Sequence, residues 1–264
     1  MAPTTFPLLF LPVLLTVAHG VPPIKLPPPI NNMQATGMGL QYCTLPKSGS
    51  TITKIVLCEL ELAYRRKPQR MMSGKNMSGN TVCTNNKWFL KSQVRRWNPR
   101  QPGVKFTLFR HPVDRVISVY GDMCGRKHFC KQMSINQFVK NLYFLYRGRN
   151  NFPGHKAVHL RYHAMPQAAF CNLKGQAKNF AIVKYNSDKA RMKRQLHRIF
   201  VMAKVPPHLS QRALRHITQS STEHANKNHA RKSDLKEKVL NNPQTMKYLQ
   251  AIYHDDFRIW RTLK

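Results

Sequence analysis

The sequence predicts an α/β fold of three layers, with a central parallel sheet flanked by helices on both sides. Three observations predict it. Short apolar runs with strand character, GLQYCTL, KFTLFR and NFAIVKY, recur along the chain. The first two lead through short loops into segments whose apolar residues fall at helical spacing, and the third runs into a basic helical segment. Strands alternating with helices pair in parallel, and their crossover helices cover both faces of the sheet. With 264 residues the chain can bury one sizeable core, so a single main domain over residues 38–264 is expected.

The elements follow in order. The start, MAPTTFPLLFLPVLLTVAHG, holds an apolar run from Phe6 to Ala18 that is interrupted by Pro7 and Pro12 and is short for an ordinary membrane span. Residues 1–20 therefore read as a signal peptide, with Ala18 and Gly20 beside the cleavage point, or as a short signal anchor holding the chain at a membrane. Either would send the rest of the chain into the secretory lumen. The proline-rich VPPIKLPPPINN that follows suits neither a helix nor a central strand, so residues 21–37 are expected to form an extended stem.

GLQYCTL is a buried-strand candidate ending at Pro46, and STITKIVLCELELAYRR carries Ile52, Ile55, Val56 and Leu60 at helical spacing. A basic stretch runs from Lys67 to about Arg100; its KPQRMMSGKNMSGNT portion reads as an exposed loop, with a glycosylation sequon at Asn76-Met77-Ser78. KFTLFR, Lys105 to Arg110, is the second strand, and Pro112 opens the helix VDRVISVYGDMC. Ser134 caps a helix whose Ile135, Phe138, Val139, Leu142 and Tyr146 share one face. NFAIVKY is the third strand, followed by a basic helix from about Ser187 to Met202. NPQTMKYLQAIYHDDFRIWRTL reads as one closing helix with Met246, Leu249, Ile252, Tyr253 and Phe257 inward.

Charge restricts the partners. The chain has 44 Lys plus Arg against 10 Asp plus Glu, a net +34, which attracts polyanions such as nucleic acid, anionic lipid or sulfated glycan. The same scarcity of acids argues against a carboxylate-bound magnesium. No base-reading motif is present, so no specific nucleic acid is expected. The cysteines Cys43, Cys58, Cys83, Cys124, Cys130 and Cys171 contain no CxxC pair, and their even count suits disulfides in an oxidising compartment better than zinc. His155, His159 and His163 have the i, i+4, i+8 spacing of helical metal ligands, but Pro153, Gly154 and Pro166 argue against a continuous helix, and no metal is expected.

Two segments carry phosphate chemistry. In PKSGST, Lys47, Ser48, Gly49, Ser50 and Thr51 lie between a strand and a helix start, where free N–H groups and the helix dipole favour an anion. It is not a Walker loop, because Lys47 precedes Gly49 rather than following the last glycine. In FTLFRHPVDRVISVY, Arg110 ends a strand and Ser118 lies in the following helix, from which both can reach one phosphate.

PKSGST resembles the 5′-phosphosulfate loop of sulfotransferases, and RHPVDRVISVY resembles their 3′-phosphate motif RxPxxRxxSxY. HAMPQAAFCNL with FAIVKYNSD, and NNPQTMKYLQAIYHDDF, are similar to segments of the Golgi carbohydrate sulfotransferases, in particular the nematode-type branch. The resemblance implies a P-loop-type version of the three-layer fold and transfer of a sulfuryl group from 3′-phosphoadenosine 5′-phosphosulfate to a sugar hydroxyl, without a metal. It implies that Lys47, helped by Ser48 and Ser50, faces the leaving oxygen, that Arg110 and Ser118 hold the 3′-phosphate, and that His163 is the base, with His159 in reserve. The implied acceptor is an anionic glycan, a glycosaminoglycan such as chondroitin, met in the Golgi lumen or at its membrane, with Arg65, Arg66 and the cations between Lys189 and Arg198 as groove candidates.

Three departures stand out. His111 occupies a position where an acid is usual, Ile52 replaces an adenine-stacking tryptophan, and HAMPQ, preceded by Arg161, is less complete than the usual segment. They leave open an alternative, a secreted cationic glycan-binding protein that keeps the fold without catalysis.

Overall fold

In the computed structural model, which describes residues 21–64, 103–130, 132–152, 154–186, 188–219 and 229–263, four strands form one sheet in chain order. β1 (Met33–Ala35) runs antiparallel to β2 (Leu40–Cys43), while β2, β3 (Val104–Arg110) and β4 (Ala181–Tyr185) are parallel. The N-terminal apolar segment, Arg65, Arg66, Cys83 and the basic loop with its sequon lie outside the described residues. Among the described residues no helix is long and apolar enough to cross a membrane.

Alternation along the strands sorts the core into two faces. Tyr42, Phe106, Leu108 and Val183 point to one face, where they pack with Val56, Leu57 and Leu60 of α1 (Ser50–Tyr64), with Leu196 and Phe200 of α6 (Lys189–Met202), and with Leu214 and Ile217 of α7 (Pro207–Gln219). Cys43 and Phe109 point to the other face, where they meet Met165, Ala168, Phe170, Leu173 at the start of α5 (Leu173–Gln176), and Ile259 of α10 (His254–Thr262). Beside these layers α2 (Pro112–Tyr120), α3 (Ile135–Tyr146), α4 (Gly154–Ala164), α8 (His229–Leu240) and α9 (Pro243–Ile252) enclose a separate helical core.

Local chemistry sets the helix ends. Pro112 opens α2, and Ser134, Asp188 and Asn242 cap α3, α6 and α9 by accepting from Gln137, Arg191 and Thr245 N–H. A π-helical turn, Gly121–Arg126, continues α2.

Two expectations change. Residues 21–37 do not stand off as a stem: Ile24 is buried and donates its N–H to Ala251 O at 3.0 Å, Ile30 bridges to Phe170, and β1 extends the sheet. The closing helix is two helices, because Tyr253 leaves helical geometry between α9 and α10. The fully buried Tyr253 hydroxyl donates to Ala164 O at 2.8 Å, which fixes that corner. Disulfides join Cys43 to Cys171 and Cys124 to Cys130, and Cys58 is also disulfide-bonded.

Candidate active site

Because β2, β3 and β4 are parallel, Cys43, Arg110 and Tyr185 end on one edge of the sheet, the edge where open α/β sheets bind ligands. The PKSGST loop leaves β2 there. Lys47 and Gly49 both take left-handed backbone, with φ of 65° and 76°. At Gly49 a side chain is excluded twice over, by that φ and by Tyr185, whose ring carbon Cε2 would lie 2.5 Å from an added Cβ. Ser50 and Thr51 open α1, where first-turn N–H groups have no partner within the helix and the dipole is positive.

Gln167 of the HAMPQ segment ties this loop to its neighbours. Its Oε1 accepts from the fully buried Ser48 hydroxyl at 2.8 Å and from Arg110 N–H at 2.9 Å, and its Nε2 donates to Arg110 O at 2.8 Å. Asp256, fully buried on α10, accepts from Gln167 N–H and Ala168 N–H, both at 2.8 Å. Burial pushes the Asp256 carboxyl up, against Arg115 and these N–H groups. The Ser48 hydroxyl is thus spent on Gln167, an internal acceptor.

Both arginines of RHPVDR grip the same loop. The Arg110 guanidinium donates to Lys47 O at 3.0 Å and lies over the Tyr185 ring at 5.2 Å. Lys232 of α8 is near enough that Arg110's charge, after burial, lowers its pKa. Arg115, fully buried, donates through Nε to Pro46 O and through a terminal nitrogen to His163 O, each at 3.0 Å. Ser118 sits half-buried farther along α2, and its hydroxyl makes no hydrogen bond among the described residues.

The Lys47 ammonium pairs with Asp122 in the π-helical turn, and Arg126 donates from Nε to the same carboxylate at 2.8 Å. Burial raises the Asp122 pKa, but Lys47 and then Arg126 outweigh it and hold the carboxyl down at about 2. Burial lowers Lys47, with Asp122 opposing.

His163 stands beside this pair on α4. Burial, then the charges of Lys47, His159 and Lys127, push its pKa down to about 3, so the imidazole is neutral near pH 7. Its Nδ1 is buried without a partner among the described residues. The His159 ring centroid is 4.3 Å from that of His163, and Lys127 Nζ lies 2.7 Å from His159 Nε2. Contrary to expectation, Gly154 to Ala164 is continuous helix, so the backbone carries all three histidines on α4. Among the described residues no group of three His, Cys, Asp or Glu side chains is arranged to hold a metal ion.

His111 precedes α2 and turns its ring edge to Phe257 and Trp260, at 5.8 and 5.3 Å. Burial lowers its pKa, so a neutral ring packed on α10 fills the position where an acid was expected. Ile52 packs half-buried against the α1 face of the core. A cleft of about 320 Å³ lined by Met33, Gln41, Lys105 and Phe180 among others contains none of the residues described above for this site.

No curated protein and no solved structure matches the chain. A family model described as "Sulfotransferase family" matches residues 33–261, from β1 into α10. That span takes in the lysine loop after β2, both arginines of RHPVDR, and Gln167 with the α10 carboxylate that anchors it, and the chain belongs to the sulfotransferase family.

Proposed function

We propose that the protein transfers a sulfuryl group from 3′-phosphoadenosine 5′-phosphosulfate to a hydroxyl of an anionic glycan, a glycosaminoglycan such as chondroitin, in the lumen of the secretory pathway. Family membership carries the reaction type, sulfuryl transfer. The single observation that carries the donor is that Arg110 donates to the backbone of Lys47. The cations of the two phosphate motifs are thereby held together at one loop, which suits a nucleotide phosphorylated at both 3′ and 5′ positions.

In this reading Lys47 and the first-turn N–H groups at Gly49, Ser50 and Thr51 neutralise charge on the leaving phosphate oxygen. Ser48 acts by fixing the loop through Gln167 rather than by touching the donor. Arg110, with Lys232 and Ser118, takes the 3′-phosphate. The bond between sulfur and the bridging oxygen breaks, the acceptor oxygen bonds to sulfur, and the hydroxyl proton passes to the His163 imidazole. An imidazole with a pKa of about 3 is neutral but weakly basic. Burial is the largest cause of that depression and the Lys47, His159 and Lys127 charges come next; an anion on Lys47 offsets part of those charges and raises the imidazole's affinity for the proton.

The test is calorimetric binding of adenosine 3′,5′-bisphosphate. Saturable binding by the wild type, reduced at least about tenfold in Lys47→Ala and Arg110→Ala, the loss of a charge-assisted contact, supports the reading. Binding that both variants keep would refute it.

A further inference from the structure

A second set of cations stands beyond His163, outside every sulfotransferase motif in the chain. Lys156, His159 and His163 occupy positions i, i+3 and i+7 and share one face of α4. Opposite them lies the loop after the π-helical turn, held by the Cys124–Cys130 disulfide and by the N–H of Lys127 on Asp122 O at 3.0 Å and of Phe129 on Met123 O at 2.8 Å. Two lysines flank one aromatic ring: Lys127 Nζ is 5.7 Å and Lys156 Nζ 5.4 Å from the Phe129 centroid. His159 meets the same ring at 5.8 Å and reaches on to His163 at 4.3 Å.

The charges do not balance within this cluster. Asp122 is taken by Lys47 and Arg126, which leaves Lys127 beside that pair and Lys156 across the Phe129 ring without a share of it. Among the described residues no acid pairs with Lys127 or Lys156. Both residues are half-buried, and cations placed this way with no acid beside them favour an anionic ligand.

We propose that Phe129, Lys127 and Lys156 form an acceptor subsite for a sugar ring bearing a carboxylate or sulfate, one residue removed from the hydroxyl presented to His163. This rests on the sugar-acceptor reading above and names the charged group that reading requires. The apolar face of a sugar ring packs on Phe129, and the two lysines close on one acidic substituent. Convergence of both cations on one ring favours a sugar over an acidic peptide, whose like-facing side chains repeat only every two residues, about 6.6 Å along an extended chain.

The test compares transfer of labelled sulfate to desulfated chondroitin oligosaccharides, to the same oligosaccharides with their carboxyls reduced to alcohols, and to an acidic tyrosine-containing peptide. Adenosine 3′,5′-bisphosphate binding is measured in parallel on every protein. The wild type should prefer the uronate acceptor over its reduced form by about tenfold or more in kcat/KM, the scale of one charge-assisted contact. Lys156→Ala and Lys127→Gln should bring that ratio close to one, through KM, and leave nucleotide affinity intact; Phe129→Ala should raise KM for both sugars. A ratio unchanged in both lysine variants, with the glycan still labelled, overturns the subsite and leaves the sugar reading standing. Labelling of the peptide alone, with nucleotide bound, overturns the sugar reading and the subsite with it.

Discussion

Replacing Gln167 by leucine keeps the side chain's approximate volume and removes its amide, which isolates its role as a strut. In the wild type one amide serves the Ser48 hydroxyl, the Arg110 N–H and the Arg110 carbonyl, at 2.8, 2.9 and 2.8 Å. Each buried group left without a partner costs about 1–3 kcal/mol. Ser48 is fully buried and carries that cost in full, whereas Arg110 is half-buried and recovers part of its hydrogen bonding from water. The loss is therefore about 3 kcal/mol, which for a domain of this size corresponds to a Tm lower by about 6–12 °C. The loop also loses its tie to β3, and adenosine 3′,5′-bisphosphate should bind about tenfold more weakly, the equivalent of about 1.4 kcal/mol. Scanning calorimetry and titration calorimetry on one preparation read both effects. A Tm within about 2 °C of wild type, less than the shift for 1 kcal/mol, together with unchanged affinity, would refute the idea that Gln167 holds the two phosphate segments together.

Other perturbations separate parts of the site. Gly49→Ala should unseat Tyr185 from Arg110, since its Cβ would fall 2.5 Å from Tyr185 Cε2 at a φ that alone costs about 1 kcal/mol; titration calorimetry should show nucleotide affinity reduced at least tenfold in consequence, by this estimate of about 1.4 kcal/mol. In a nitrogen-detected NMR titration His163 should stay neutral to well below pH 5. Its folded pKa of about 3 is depressed below the unfolded value, so the unfolded chain binds the extra proton between them, and the stability it contributes is complete above about pH 6.5 and falls as pH drops toward 3. A midpoint near 6.5 would contradict the burial of His163 and its crowding by Lys47, His159 and Lys127. Asp122, held at about 2, contributes stability that is present above about pH 4 and lost as pH falls through its folded value. The urea midpoint of the wild type should therefore fall more between pH 4 and 2 than that of Asp122→Asn.

The sequence made the parallel sheet legible because its inner strands are strongly apolar and the two loops bearing phosphate chemistry are local motifs. Lys47, Gly49, Arg110 and Ser118 are suggested by local residue type and spacing alone, and of these the structure brings Lys47 and Arg110 into contact. β1 could not be, since Met33–Ala35 has three residues, follows a proline tract, and is a strand only because β2 lies beside it. Leu209, Ala213, Leu214 and Ile217 give α7 a helical signal that is visible in the sequence. α8, with little apolar surface beyond Leu235 and Val239, offered a weaker one.

The site residues that went unassigned act over distance. Asp122 matters because a π-helical turn carries it to Lys47, 75 positions away in the chain. Gln167 and Asp256 sit inside quoted motifs, but a strut 89 positions long has no local spacing to reveal it. Ser48 shows the opposite error: its type and position suit a phosphate donor, and tertiary packing turned its hydroxyl inward to Gln167.

The reaction proposed above is sulfuryl transfer from a nucleotide donor held by Lys47 and Arg110 to a glycan hydroxyl activated by His163. Its most direct measurement gives the purified full chain radiolabelled 3′-phosphoadenosine 5′-phosphosulfate and a panel of desulfated glycosaminoglycans. Label should appear on a glycan, with transfer lost in Lys47→Ala, and with transfer lost but nucleotide binding kept in His163→Ala. Saturable binding of the glycan with neither nucleotide binding nor transfer of label would contradict it.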